Sequence, residues 1–521
     1  MSASREKKQR QSAGPDQKAL KAQQEQAARK HKTIVYSVVG VLAAVLVIAL
    51  LVWRTGFFQA RAAAATVGDE TLSAAQLSYY YYWLRNEYAN SYYSSLLGFD
   101  STVSDDKQTY MDGTTYRDYF MQAALSNAQF SFALEQEAIN AGHTEAEIKD
   151  DLEANIASAK ASATSSGLSY SAYLRAVYGP YMSSSVFERE LTRYLMASLV
   201  YSEKYDEAFD SYAQADLEDY YKENADTLDT IEYSSLYFPI AEVATTTEDG
   251  SELPEDEVQE LTDQAKADAK AKAEEALEAL EGGSTFQSQI DKYELTGSYN
   301  TDHNTVVGTS YIGSAFRDQL LELDKGECDL VETDSGYYVI SFHDRYLEDE
   351  PTQDVRHILA RAETTTDEDG SIVAPTDEAW AAAKAKMDEI QDAWNAGDKT
   401  EDAFANLANE KSDDGDGTTG GLYERTYDGF FVPEFNDWMF GTTHQPGDVG
   451  LVQHEGDVST ASSSYTPYWG YHLIYYVGEN EPVWMNTARS ALATTARSEW
   501  ADGIFANYAT AELSGASRLG K

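Results

Sequence analysis

The strongest constraint on this chain is a repeat inside it. Residues 241–252, AEVATTTEDGSE, resemble residues 360–372, ARAETTTDEDGSI. A strand-like segment precedes each copy, Ile231–Phe238 and Val355–Leu359. A charged, Ala-rich helical segment follows each, Glu255–Leu280 and Asp377–Ala396, and each stops at glycine, Gly282-Gly283 and Gly397. Phe286 and Phe404 then open a further segment in each copy. Each unit closes on a Gly-Tyr strand, GYYVISF at 336–342 and GYHLIYY at 470–476, alternating and rich in β-branched and aromatic residues. Self-similarity at a fixed period means one structural unit used more than once. Here an α/β module of about 120 residues occurs twice. The acidic TTT-EDG insertions read as solvated loops.

The N-terminal sixty residues suggest a compartment. Residues 1–32 hold nine Lys/Arg against three acids, Glu6, Asp16 and Glu25. Ile34–Trp53 then runs for twenty residues without a charge. At about 1.5 Å per helical residue this spans a hydrocarbon core of roughly 30 Å. The expected layout is a basic cytoplasmic tail at 1–32 and a transmembrane helix at 33–53, with the N-terminus inside. The other 489 residues carry 30 basic and 85 acidic side chains, so the acidic body is expected outside the cytoplasm. Ala60-Arg61-Ala62 has the small-x-small form of a signal cleavage site, the competing reading. The apolar run is longer than a signal core and the basic region is long, which favours an uncleaved anchor.

A formal net charge of -49 repels nucleic acid, so none is expected as a partner. The single cysteine, Cys328, excludes an intramolecular disulfide, a CxxC redox pair and a multi-thiolate metal site. Asp413-Asp414-Gly415-Asp416 lacks the EF-hand spacing, and no G-x-S-x-G or phosphate loop is present. His143, His303, His343, His444 and His454 show no ligand spacing. No cofactor is expected.

Residues 64–230 read as a helical domain. Ser73 is the expected N-cap of a helix over Ala74–Asn90, which contains Tyr79-Tyr80-Tyr81-Tyr82-Trp83. Further helices are expected over about 116–141, 144–160, 168–178, 184–211 and 215–224. Phe187, Leu191, Tyr194, Leu195 and Leu199 recur at helical spacing. The tyrosines suit an adaptable face for unfolded chains, each a contact area with a polar tip; the alternative is core and boundary packing. A last helical pattern at 481–515, with Trp484, Met485, Ala488, Leu492 and Trp500, needs a partner surface. The domain at 64–230 is the expected one.

The second module resembles the parvulin rotamases. Val355-Arg356-His357-Ile358-Leu359 is similar to the opening strand. Phe404-Ala405-Asn406-Leu407-Ala408, Ser412-Asp413-Asp414 and Gly420-Gly421 are similar to "F-x-x-L-A … S-x-D … G-G". Gly470-Tyr471-His472-Leu473-Ile474 is similar to the closing "G-Y-H-I-I" strand. Phe431, Phe435 and Phe440 fall where that family has apolar pocket or core residues, and Gly447-Asp448-Val449 where it has "G-E-V-S". The family usually continues "G-G-D-L-G-W-F"; here Leu422-Tyr423-Glu424-Arg425-Thr426 follows. Tyr423 then stands at the usual leucine and Phe431 at the usual methionine, a narrower and more aromatic pocket. Glu455–Tyr468 is an insertion.

The resemblance implies an isomerase domain at 352–480. His357, His472 and Asp414 would be its polar catalytic set, with Asp413 the alternative to Asp414. Tyr423, Phe431 and Phe435 would bind substrate. The first module, 231–345, has Ser235 near the position of His357, Tyr338 in place of His472 and no Gly-Gly segment. It reads as a degenerate copy. The layout resembles the PrsA/SurA-type secretion foldases, whose helices from both chain ends form a chaperone domain. The fold class expected is α+β: a transmembrane helix, a helical chaperone domain completed by the C-terminal helix, and two parvulin-like domains. The function implied is a membrane-anchored, extracytoplasmic peptidyl-prolyl cis-trans isomerase and chaperone. Its partners would be unfolded or newly exported polypeptides with X-Pro bonds, the membrane through one helix, and a second copy in a homodimer. The competing functions are a non-catalytic holdase with parvulin-like scaffolds and a structural protein of the cell surface.

Overall fold

The structure, a computed structural model, describes residues 36–47 and 56–521 except 248–250, 368–369, 416 and 463–464. The basic tail 1–32 and both ends of the apolar run 33–53 lie outside the described residues. Within that run, 36–47 is helical with exposed apolar side chains. Among the described residues no helix is long and apolar enough to cross a membrane. The chain divides into two compact units, 1–210 with 493–521, and 211–492.

The first unit is helical with a small sheet. The turn after Val67 joins strands Ala63–Val67 and Glu70–Ser73, and Thr510–Glu512 pairs along the other side of Ala63–Val67. Ser73 starts the helix Ala74–Asn90 with a reciprocal cap: its Oγ accepts from Gln76 N, and Gln76 Oε1 accepts from Ser73 N. Helices Tyr116–Ala141, Lys149–Ser165, Tyr170–Tyr178 and Ser184–Ser211 follow. The tyrosine run divides between core and surface. Tyr79, Tyr80 and Tyr81 are buried, Tyr82 is half-buried and Trp83 is exposed. Leu77, Phe120, Ala124, Phe187 and Leu191 complete that core. Glu190 is fully buried but satisfied, accepting from Gln76 Nε2, Tyr80 Oη and Arg193 Nη1. A buried carboxylate without such partners would be costly. Residues 493–505 bring Trp500, Ile504 and Phe505 onto Leu134, Met196 and Val200.

In the second unit the helix Gln214–Leu228 packs Leu217 and Leu228 against Trp484 and Ala488. The sequence reading assigns that helix to the domain at 64–230; here it groups with the modules. Each module is a four-stranded antiparallel sheet in the same order. The first runs Thr301–Val307, Thr230–Pro239, Gly336–Tyr346, Cys328–Glu332; the second runs Leu422–Thr426, Thr352–Arg361, Gly470–Asn480, Val449–His454. The opening and closing strands of the repeat are thus the central pair of each sheet.

Alternation decides what each face of the second sheet meets. Ile358, Ala360, Leu473 and Tyr475 face the helices Asp377–Ala396 and Glu401–Lys411 through Met387, Ile390, Trp394 and Phe404. Each of the large apolar side chains buried there contributes roughly 1.5–3 kcal/mol. Val355, Ile474 and Tyr476 meet Phe435 and Met439 of the helix Pro433–Gly441 on the opposite face. A one-residue slip would exchange the two sets.

Gly420 and Gly421 carry the chain from the second helix to the edge strand with φ of +65° and +67°. A Cβ on Gly421 would stand 2.2 Å from the His357 carbonyl oxygen. The close approach lets the Gly421 carbonyl accept from His357 N at 2.9 Å. Gly429 also has positive φ, +89°, with open space around it. We expect Gly429→Ala to cost about 1–2 kcal/mol of left-handed strain. Gly421→Ala should cost clearly more, because the collision adds to that strain. Chemical denaturation of both variants checks this; equal losses would contradict the close approach.

Candidate active site

The two histidines of the repeat's second copy meet on one face of its sheet. In the central ladder His357 pairs with Ile474 and His472 with Leu359, so the two are diagonal neighbours of the same parity. Both are buried. Their Nδ1 atoms lie 3.2 Å apart, with ring centroids at 5.3 Å. His357 Nε2 lies 2.9 Å from Asp414 Oδ2. Tyr423 Oη donates to the same carboxylate oxygen at 2.9 Å. At the other end Tyr468 Oη lies 3.4 Å from His472 Nε2.

The Ser-Asp-Asp turn separates the two acids. Ser412 Oγ accepts from Leu359 N and Asp414 N, both at 3.1 Å. Asp413 accepts from Arg361 N and pairs with Lys386 at 2.5 Å. Asp414 alone reaches His357. The choice between Asp413 and Asp414, open in the sequence, falls to Asp414 on geometry.

With both imidazoles neutral, one proton order satisfies every atom of this chain. His357 donates from Nε2 to the Asp414 carboxylate, so its Nδ1 accepts from His472 Nδ1–H. His472 Nε2 then accepts from Tyr468. The electrostatics agree. Burial first, then the neighbouring His357, pulls His472 down to about 3, so it is neutral at ordinary pH. The hydrogen bond from His357 is the largest influence on Asp414, holding it down at about 2 against the opposing effect of burial. Burial and the Asp414 carboxylate push the Tyr423 phenol up to about 12. Burial also raises Tyr468.

Aromatic rings line the space beside this chain. Phe435 sits edge-on to both imidazoles at 5.5 and 5.4 Å. Phe431 stacks on Phe435 at 4.0 Å, and Tyr423 meets Phe431 at 5.7 Å. All six residues named from the sequence, His357, Asp414, His472, Tyr423, Phe431 and Phe435, therefore converge. Phe440 lies half-buried at the margin of the same apolar cluster.

The sequence reading missed two neighbours. Tyr468 ends the insertion Glu455–Tyr468. His454 belongs to the strand beside His472 and shares its face, since Val452 pairs with His472. It is buried, its Nδ1 lies 2.8 Å from Glu434 Oε2, and its ring lies 4.9 Å from Tyr468. The period-two alternation from Val452 was the available signal. His444, also without ligand spacing, stacks on Trp438 at 4.0 Å. Among the described residues no cluster of His, Cys, Asp and Glu is suited to a metal ion.

The first module has the same ladder without the chain. Ser235 pairs with Ile340 and Tyr338 with Tyr237, the register positions of His357 and His472. Ser235 Oγ donates to the Tyr299 carbonyl at 2.6 Å. Tyr338 packs on Tyr237 at 4.5 Å and Phe316 at 5.0 Å, filling the space.

Comparison with known proteins agrees with this geometry. Residues 357–475 match the family model of the PPIC-type PPIase (rotamase) domain. Residues 249–346 match a second model with the same description. The chain thus carries two regions that match the PPIC-type PPIase (rotamase) family, the parvulin-type peptidyl-prolyl isomerase domain. Among solved structures it is similar to the peptidylprolyl isomerase PrsA of Bacillus anthracis, at 12% identity over 43% of this chain and 79% of that one, TM-score 0.20. It is also similar to the foldase protein PrsA of Streptococcus pneumoniae, at 14% identity over 47% and 79%, TM-score 0.19. A third is the foldase protein PrsA of Lactococcus lactis, at 11% identity over 67% and 93%, TM-score 0.21. These likenesses are slight, and the assignment rests on the two family matches. No curated protein matches the chain.

Two outcomes follow from the proton order. Nitrogen NMR should show His472 neutral from pH 7 down to pH 5, with its proton on Nδ1 at pH 7; an Nε2–H tautomer at pH 7 would contradict the order. Because folding depresses the His472 pKa, stability should fall as pH drops from about 6.5 towards 3. Asp414, also depressed, should add a further loss as pH falls from about 3.9 to 2. Denaturation midpoints of the wild type and His472→Gln across pH 7 to 4 check the first window; the variant should show the shallower decline.

Proposed function

We propose that this chain is a membrane-anchored, extracytoplasmic peptidyl-prolyl cis-trans isomerase and chaperone, acting on unfolded or newly exported polypeptides. The observation that carries the catalytic part is the convergence of the Asp414–His357–His472 chain with the rings of Phe435, Phe431 and Tyr423. The basic tail 1–32 and the uncharged run 34–53 support the anchor, with the N-terminus cytoplasmic and the acidic body outside. In this reading 352–480 is the isomerase, 231–345 is scaffold, and 64–230 with 481–515 forms the client-binding body.

The chemistry suits such a site. Amide resonance sets a barrier of about 18–20 kcal/mol to rotation. The X–Pro isomers differ by only about 0.5–1 kcal/mol and exchange over tens of seconds or more. No bond forms or breaks, so no nucleophile is needed. The site must grip the proline ring, hold the flanking peptide and favour the twisted amide. Phe435 forms the floor of the slot, with Phe431 and Tyr423 as its walls. Excluding water disfavours the charge-separated form of the planar amide. His357 and His472 hold fixed hydrogen-bonding groups at the rim, oriented by Asp414.

A non-catalytic holdase is the second reading. The stacking of Phe431 on Phe435 favours it, since it narrows the slot. Proline-limited refolding separates the two. The full chain should accelerate refolding of a protein with a slow X–Pro phase. Phe435→Ala should lower that kcat/KM on the order of 10- to 100-fold, the loss of roughly 1.5–3 kcal/mol of apolar contact. Suppression of aggregation without any acceleration would decide for the holdase.

A further inference from the structure

The first unit encloses a cavity that the isomerase site does not use. Its volume is about 460 Å³, within the roughly 300–1,000 Å³ of ligand pockets. Five helices bound it: Ala74–Asn90, Tyr116–Ala141, Lys149–Ser165, Tyr170–Tyr178 and Ser184–Ser211. In a chain of net charge -49, no Asp, Glu, Lys, Arg or His lines it. Glu190, which accepts from the lining Tyr80, is turned into bonds with Gln76, Tyr80 and Arg193. A charged ligand would find no counter-charge there.

The lining is also divided. The floor is apolar and aromatic. Tyr79 stacks on Tyr178 at 5.2 Å with planes 7° apart, and Phe187 lies 5.0 Å from Tyr178, beside buried Leu191. A further wall is a stripe of small residues on one helix, Asn155, Ser158, Ala159 and Ser162, spaced to share one face and polar except at Ala159. Asn127 adds a second carboxamide. Exposed Trp83 and Tyr194 stand among the lining residues, so the cavity opens to solvent.

We propose that this cavity binds an uncharged aromatic side chain of a client polypeptide together with its adjoining peptide groups. An aromatic ring gains most from offset and edge contacts with other rings, which the floor supplies. The two asparagines carry the same donor and acceptor groups as a peptide bond; Asn155 Nδ2 already donates to the Asp151 carbonyl at 2.8 Å, which leaves its Oδ1 to accept from a peptide N–H. A sugar fits less well, because its hydroxyls would face Phe187 and Leu191 without partners. The site is independent of proline and would hold a client while an X–Pro bond elsewhere is turned over. The inference rests on the reading that unfolded polypeptides are the clients.

The test uses the full chain in nanodiscs and saturation-transfer NMR with N-acetyl-phenylalaninamide, an uncharged ring with two peptide groups. This probe should bind at least tenfold more tightly than N-acetyl-alaninamide. Ser158→Phe, which fills the cavity from an exposed helix position, should weaken it at least tenfold and leave isomerisation of a short proline peptide unchanged. Asn155→Ala, also on the exposed rim, should weaken it severalfold. Equal binding of the two amides would overturn the proposal, as would binding unaffected by both variants or tighter binding of cellobiose. Probe binding without proline isomerisation would overturn the catalytic reading alone. Isomerisation without probe binding would overturn this site alone.

Discussion

The second module depends on the antiparallel ladder between Thr352–Arg361 and Gly470–Asn480. Its register places His357 opposite Ile474 and His472 opposite Leu359, and every contact of the site follows from that. The same parity that aims the histidines at Phe435 aims Ile358 and Leu473 at the helices beneath. Core and site are therefore two faces of one alternation, and the core enforces the register. The cost of burying two imidazoles is met by a chain of hydrogen bonds that ends on Asp414. That chain ties the orientation of each ring to its neighbours.

The first module shows what the ladder does without this chemistry. It keeps the strand order and the pairing, with Ser235 and Tyr338 at the histidine positions. Tyr338 with Phe316 and Tyr237 turns the slot into packed core. Fold and site separate cleanly here: the scaffold survives the loss of every polar site residue. The second copy has traded in the other direction. It holds two buried imidazoles and two left-handed glycines, Gly421 pressed against His357 and Gly420 against Ala405 and Arg356, which a module built only for stability would not need.

Much of this was legible in the sequence, and for physical reasons. Strand alternation around His357 and His472, the Gly-Gly step and the Phe-led helix are local signals, and the repeat supplied their order twice. The choice between Asp413 and Asp414 was not legible, because it depends on which way a turn held by Ser412 presents two adjacent carboxylates. Tyr468 was missed because an insertion carries it back to the sheet from a distance. His454 was missed because its partner Glu434 lies on a helix, at a spacing that no short motif encodes. The tyrosine run suited either core or client surface; three of its rings are buried, and the cavity beside them uses two of those three.

In the function proposed above, the histidine chain and its slot make the second module the catalyst and the first module scaffold. The most direct measurement transfers the first module's residues into the second, His357→Ser with His472→Tyr, and records cis/trans exchange in a short proline peptide by exchange NMR. The full chain should accelerate exchange, and the double variant should return it to the uncatalysed rate. Acceleration that persists in the double variant would contradict that assignment.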